Sequence, residues 1–219
     1  MGTKIIAMDP SLSAFGVAVI DIDKNELIYG KCIESKAASD LNTELEPFVR
    51  IRELVTPILR IIDDYHCVGL IAEIPYFGKD HKSMMMAGRM QGLVCSIPPF
   101  IEITRAGMYF PAVGVLPQHI KQIAEGMPGP MVDEVAVRLN VGRNPNKHKI
   151  IAVVADIYSN IYDIGDNTAF RVEAIADACG AWLAGQREFR YLYSLEALPN
   201  YRAQLKKRRR PTQKQGKLL

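Results

Sequence analysis

Four carboxylates stand where an acid needs a reason to be. In the stretch KIIAMDPSLSAFGVAVID, from Lys4 to Asp21, an apolar run (Ile5, Ile6, Ala7, Met8) stops at Asp9 and then at Pro10. Proline has no amide hydrogen to give a sheet ladder. Asp9 therefore ends a strand among apolar neighbours, where an unpaired charge is costly. It reads either as a turn-capping acid or as one held by a cation or a metal. A second apolar run, Cys67 to Glu73, also ends in an acid, which is either a ligand or a residue closing a strand at the surface. In RVEAIADACGAWLAG, Glu173 and Asp177 are four residues apart. On a helix that spacing puts both on one face, with about 5–6 Å between their Cβ atoms, an arrangement that destabilises the helix unless something compensates it. An exposed pair with little cost is the alternative. Together the four would make an all-oxygen site suited to Mg²⁺ or Mn²⁺. Two such ions, about 3.5–4 Å apart, suit phosphodiester hydrolysis. No histidine or cysteine spacing for zinc, Walker loop, dinucleotide glycine fingerprint or nucleophile elbow competes with this reading.

The elements that must position these acids follow from periodicity. After the opening strand, Ala14–Ile20 and Leu27–Glu34 read as hairpin strands around the turn Asp21–Asn25. From Asn42 to Asp63 apolar residues recur at three and four, predicting a helix that Pro57 kinks or divides. Cys67–Glu73 is continuous and apolar, as in a strand covered on both faces. In such a mixed α/β layout the first and fourth strands can lie side by side, bringing Asp9 and Glu73 together. Lys82–Val94 reads as a helix with Met84, Gly88 and Gly92 on one face. Pro98-Pro99 reads as a break, with Phe100–Thr104 and Val113–Leu116 as strands and Arg105–Ala112 as a loop. Gln118–Glu125 makes a short helix carrying Lys121, and Met131–Leu139 another. The run Asn146-Lys147-His148-Lys149 precedes a helix over Ile150–Tyr162. Cations at a helix start oppose its dipole, so this run faces either phosphate or solvent. The last helix, Arg171–Gly185, is rich in alanine and glycine and can lie close on a sheet.

The 219 residues carry a net charge of +3, and 48% are hydrophobic. That suffices for one cored domain, here taken as residues 1–200, followed by a tail, 201–219. Residues 202–219 contain eight Lys or Arg and no acid, so the remainder is net −5. Lys206, Lys207, Arg208, Arg209 and Arg210 are consecutive, and form either a solvated end or an arm for phosphate backbones. The cysteines, Cys32, Cys67, Cys95 and Cys179, stand far apart in apolar contexts and read as buried thiols. With no transmembrane run, and a strand beginning at Lys4, a cytoplasmic protein without a membrane partner is expected.

In order and wording, MDPSLSAFGVAVID, LIAEIPYF with SMMMAGRMQGLV, LPQHIKQIAEG, NKHKIIAVVADIY and VEAIADACGAWLAG resemble the RuvC-type Holliday junction resolvases of the RNase H-like superfamily. The pieces span most of residues 4–185. The resemblance implies an α/β, RNase H-like fold: a mixed five-stranded sheet with helices on both faces. It implies that Asp9, Glu73 and Asp177 bind metal, two Mg²⁺ or Mn²⁺ ions per site. The family commonly places its fourth acid three residues before Asp177, where this chain has Ala174. Glu173 lies on the same helix face with a longer side chain and takes the role instead. Tyr76 and Phe77 match the position of an aromatic that stacks on bases at the opened crossover. Lys121 and Lys149 match lysines near the scissile phosphate, with Lys147 and His148 beside them as DNA contacts. The helix around Gly88 and Gly92 matches the one that forms a two-fold homodimer. Segments 105–112 and 127–143, and the basic tail, look like additions to the family core, fitting a viral or mobile-element variant in a bacterial or virus-infected cell.

The expectation is a dimeric, Mg²⁺-dependent endodeoxyribonuclease that nicks four-way or branched DNA. Three other readings compete: a less selective flap or RNase H-like nuclease, a module that binds branched DNA without cutting it, and an actin-like or sugar-kinase-like ATPase. The last would need two related halves and nucleotide-binding glycine loops, which this chain lacks.

Overall fold

The computed structural model describes residues 2–36, 45–74, 80–142, 144–164 and 168–196. Five strands, β1 (Lys4–Asp9), β2 (Ala14–Asp21), β3 (Glu26–Glu34), β4 (Leu70–Glu73) and β5 (Ala112–Val115), form one sheet in the order β3-β2-β1-β4-β5. The first three are antiparallel neighbours, while β4 runs parallel to β1 and β5 parallel to β4. This is the mixed sheet expected from the sequence.

Both faces of the sheet are covered, which is why β1 and β4 read as continuous apolar runs. Side chains alternate across a strand. Ile5 and Ala7 of β1 and Ile71 of β4 join one core with α5 (Pro145–Ile157) and α6 (Ala169–Glu196). Ile6, Met8, Leu70 and Ala72 join the opposite core with α1 (Glu46–Asp64) and α2 (His81–Thr104). The same alternation carries Asp9 and Glu73 to the α6 face. There α3 (Pro117–Ala124) contributes Ile120, and α4 (Gly129–Arg138) packs outside through Val132 and Val135. Among the described residues, no helix is long and apolar enough to cross a membrane.

Two helices override the proline signals. Pro57 lies within α1, which continues past it. The helix holds because Leu54, Ile58, Ile61 and Ile62 are buried on one face. Likewise α2 passes through Pro98 and Pro99 to Thr104, so the expected break and the strand at 100–104 are both replaced by helix. Each interior proline costs about 3 kcal/mol. Met90, Leu93, Ile97 and Ile101 are nearly fully buried at helical spacing, and each contributes roughly 1.5–3 kcal/mol. The burial outweighs the two lost hydrogen bonds. The start of α2 is set by Asp80, whose carboxylate accepts from the Ser83 amide at 2.9 Å and from its hydroxyl at 2.6 Å.

The last helix is set down on the sheet by its small residues. A side chain on Gly16 of β2 would overlap the Ala174 carbonyl, and Ala174 packs with Ala14 and Cys32. Eleven residues on, a Cβ at Gly185 would come within 2.7 Å of Val115 of β5. The helix thus crosses from β2 to β5, and Asp177, one turn after Ala174, comes down beside β1. Helix α5 begins at Pro145 rather than after the basic run, so Lys147 and Lys149 lie in its first turns. Cys32, Cys67 and Cys179 are buried thiols as expected, whereas Cys95 is exposed on α2.

Candidate metal and nucleic-acid site

The site is built at the carboxyl ends of β1 and β4. Met8 and Ala72 are the last paired residues of that parallel register, so Asp9 and Glu73 follow side by side on the face covered by α6. Glu173 and Asp177 come from α6, near enough that Asp9 feels the charge of Glu173 and Asp177 that of Asp9 and Glu173. Burial is the largest influence on three of these carboxyls, and their neighbours add to it. Asp9 is pushed up to about 7 by burial and by the charges of Glu73 and Glu173. Glu73 rises to about 7 by burial and Asp177, opposed by Lys121. Asp177 rises to about 7 by burial, Asp9 and Glu173, opposed by Lys147. Four distant acids are therefore within one another's fields.

Positive charge is scarce in this cluster. Lys121, in the last turn of α3, faces Glu73. Lys147 donates from Nζ to Glu173 Oε1 at 2.6 Å. Two ammonium groups against four carboxylates leave an excess of negative charge, and every donor atom is oxygen. Such a donor set fits hard divalent cations, which relieve both desolvation and mutual repulsion. Among the described residues no three His, Cys, Asp or Glu side chains are already gathered closely enough to hold an ion. Glu173 is turned to Lys147. Burial and the nearby acids Glu34 and Asp9 push the Cys32 thiol up to about 11.

The remaining sequence candidates divide. Lys121 is exposed at the rim and Lys149 is half-buried on α5. Among the described residues Lys147, not Lys149, supplies the ion pair from α5 to the acids. His148, expected as an exposed DNA contact, is instead buried, and its Nδ1 accepts from the Asn144 amide at 3.4 Å. It faces inward because it lies one helical turn before Ile151 and Ala152, on the buried side of α5. Tyr76 and Phe77, and the run Lys206, Lys207, Arg208, Arg209 and Arg210, lie outside the described residues.

Three features of the site escaped the sequence reading. Arg50 of α1 is buried and fixes the turn that follows Asp9: its guanidinium donates to Leu12 O at 3.2 Å, Ser13 Oγ at 3.4 Å and Ser35 Oγ at 3.0 Å. Ser35 Oγ in turn donates to Leu12 O. An arginine on the otherwise apolar face of a predicted helix was the available signal. Arg171 pairs with Glu34 at 2.8 Å, tying the first turn of α6 to the end of β3. The third is the Lys147–Glu173 contact, hinted at only by the unfavourable placing of a lysine at a helix start.

Comparison with known proteins agrees with this architecture. A protein of Christiangramia forsetii named crossover junction endodeoxyribonuclease RuvC is 24% identical over 165 residues, 74% of this chain and 80% of its own length. A protein of the same name from Cytophaga hutchinsonii is 23% identical over 136 residues, 62% of each chain. Among solved structures, Thermus thermophilus RuvC in complex with a Holliday junction substrate matches with a TM-score of 0.56 at 15% identity, covering 86% of this chain and 94% of that one. Another T. thermophilus RuvC structure matches with a TM-score of 0.52 at 14% identity, covering 85% and 96%. No family model matches the chain. In sequence the chain is thus similar to proteins named crossover junction endodeoxyribonuclease RuvC, and in strand order and fold it is similar to the T. thermophilus RuvC structures.

Proposed function

We propose that this protein is a divalent-metal-dependent endodeoxyribonuclease that resolves four-way or otherwise branched DNA by paired nicking. One observation carries the reading: Asp9, Glu73 and Asp177, brought from β1, β4 and α6, are buried together, and burial first and neighbouring acids second raise their carboxyls to about 7. These three, with Glu173, would hold two Mg²⁺ or Mn²⁺ ions. Bound there, the ions would supply Lewis acidity at an in-line phosphodiester displacement. The names of the curated relatives support the reaction class, and the junction-bound structural neighbour supports the substrate class.

The chain's own residues do the rest. Lys121 sits beside Glu73 on the exposed rim, where an ammonium can offset the charge that develops on the phosphate. Lys149 approaches from the first turns of α5, and Lys147 neighbours it. Pro10 and the Arg50-fixed turn keep Asp9 at its strand end. Tyr76 and Phe77, just beyond Glu73, would stack on unpaired bases. Lys206, Lys207, Arg208, Arg209 and Arg210 would grip phosphates and make binding fall steeply with salt.

Two-fold pairing is part of the proposal. On α2, Met84 and Met85 are exposed, and among the described residues nothing lies within 4 Å of where side chains on Gly88 and Gly92 would be. A second copy packed there would put one site on each of two opposed strands. The sequence features favour a cytoplasmic enzyme.

The decisive experiment is cleavage of a synthetic four-way junction with Mg²⁺, native chain against Asp177→Asn, with flap, linear duplex and RNA–DNA hybrid alongside. Symmetric nicks in the junction that vanish in the variant are expected. Equal cutting of all substrates would assign a less selective nuclease, and tight binding without cutting would reject the enzyme.

A further inference from the structure

Lys147 is placed against the local electrostatics of its own helix. It occupies the third position of α5, whose first residue is Pro145, at the end where the dipole is positive. What it gains there is Glu173: Nζ and Oε1 are 2.6 Å apart, the lysine side chain 55% exposed and the glutamate 23%. The same ammonium lies close enough to Asp177 to oppose the upward push on that carboxyl. Glu173 has no substitute on its own helix, because position 174 is pressed against Gly16, Ala14 and Cys32. An acid there would meet the sheet instead of the site. The acid that α6 brings to the cluster beside Asp177 is thus the one Lys147 holds.

We propose that Lys147 is a built-in counter-ion that occupies Glu173 in the DNA-free protein and releases it when a backbone phosphate draws the ammonium away. The inference rests on the four acids being metal ligands. An ammonium and a divalent cation repel one another on a shared carboxylate oxygen, so the lysine and the ion compete for Glu173. The exposed lysine can change partners, since a phosphate arriving at the rim offers the same charge as the carboxylate. Full loading of the metal site would then wait for the substrate, and the protein would hold fewer ions when no DNA is present. Lys147 is in this sense a positioning residue, acting on the reaction through Glu173.

The test is calorimetric titration of Mn²⁺ into the full-length native protein, Lys147→Met, Lys147→Arg and Glu173→Gln, at low ionic strength, with and without a junction carrying uncleavable phosphorothioate linkages. Without DNA, Lys147→Met should bind the weaker of its two ions about fivefold more tightly than the native chain, in keeping with the loss of one exposed ion pair. Lys147→Arg should bind as the native chain does, and Glu173→Gln should lose the weaker ion. Junction DNA should strengthen Mn²⁺ binding more in the native chain than in Lys147→Met. Equal or weaker binding by Lys147→Met without DNA overturns the role of Lys147 and leaves the metal site standing. Absence of Mn²⁺ binding by every form overturns both, and Asp9→Asn serves as the marker of that second case.

Discussion

Asp9 and Glu73 extend side by side from neighbouring parallel strands, each one residue past the last register pair, Met8 against Ala72. Burial is the main reason both carboxyls are raised, and the charge of Glu73 adds to the push on Asp9, with neither acid holding a lysine or arginine at hydrogen-bonding distance among the described residues. Removing one charge should therefore both disable the site and relax the fold. For Asp9→Asn we expect cleavage to fall by at least about a hundredfold, the scale on which metal-dependent and electrostatic contributions act. The metal-free variant should melt higher than the native chain at pH 8. Junction cleavage and thermal melting of the same preparations check this, and a lower melting temperature at pH 8 would count against a repulsive cluster.

The raised carboxyls also fix the sign of the pH dependence. A folded-state pKa of about 7, against 3.8 to 4.5 for the free groups, means that the folded chain holds more protons than the unfolded one between those values. Metal-free stability attributable to these groups is therefore greatest at the acid end and declines as pH rises, with the decline complete above about pH 7. Acting as one coupled set, they should cost on the order of a few kcal/mol at pH 8. Divalent ions displace the same protons, so added Mg²⁺ should restore stability more at pH 8 than at pH 6, and cleavage should rise through neutrality. Melting curves at the two pH values, with Mg²⁺ and with chelator, read both effects.

The seating of α6 can be probed at Gly16. Its missing side chain is what lets the Ala174 carbonyl approach β2. Gly16→Ala should lift the first turns of α6, displace Glu173 and Asp177 and destabilise the fold by about 1–3 kcal/mol through overpacking. Gly88 is the contrast, with no neighbour within 4 Å of an added Cβ among the described residues. Gly88→Ala should raise monomer stability by about 0.5–1 kcal/mol through helix propensity and weaken any dimer built on that face. Chemical denaturation and sedimentation together separate the two outcomes.

Arg50→Ala should leave Leu12 O, Ser13 and Ser35 without their buried donor and free the turn after Asp9. A stability loss of about 3 kcal/mol is expected, with cleavage reduced further than folding explains because Asp9 loses its fixed strand end. Arg50→Lys, which cannot serve three acceptors from a planar fork, should recover only part of either. Denaturant midpoints and cleavage rates of the two variants test the link.

The chain by itself determined most of the strands and helices and placed its acids at strand ends and on the late helix, because strand ends, apolar runs and an alanine-rich helix are local signals of burial. It determined the neighbouring of β1 and β4 only as an option, which the parallel register made definite. The prolines at 98 and 99 were misleading for a physical reason: their cost is local and legible, whereas the burial of Ile97 and Ile101 that outweighs it depends on what packs against them. The inward turn of His148, the grip of Arg50 and the pairing of Lys147 with Glu173 were decided by tertiary structure alone. Each joins residues that are distant in the chain or sets the rotation of a helix, and neither quantity is written in the spacing of a single segment.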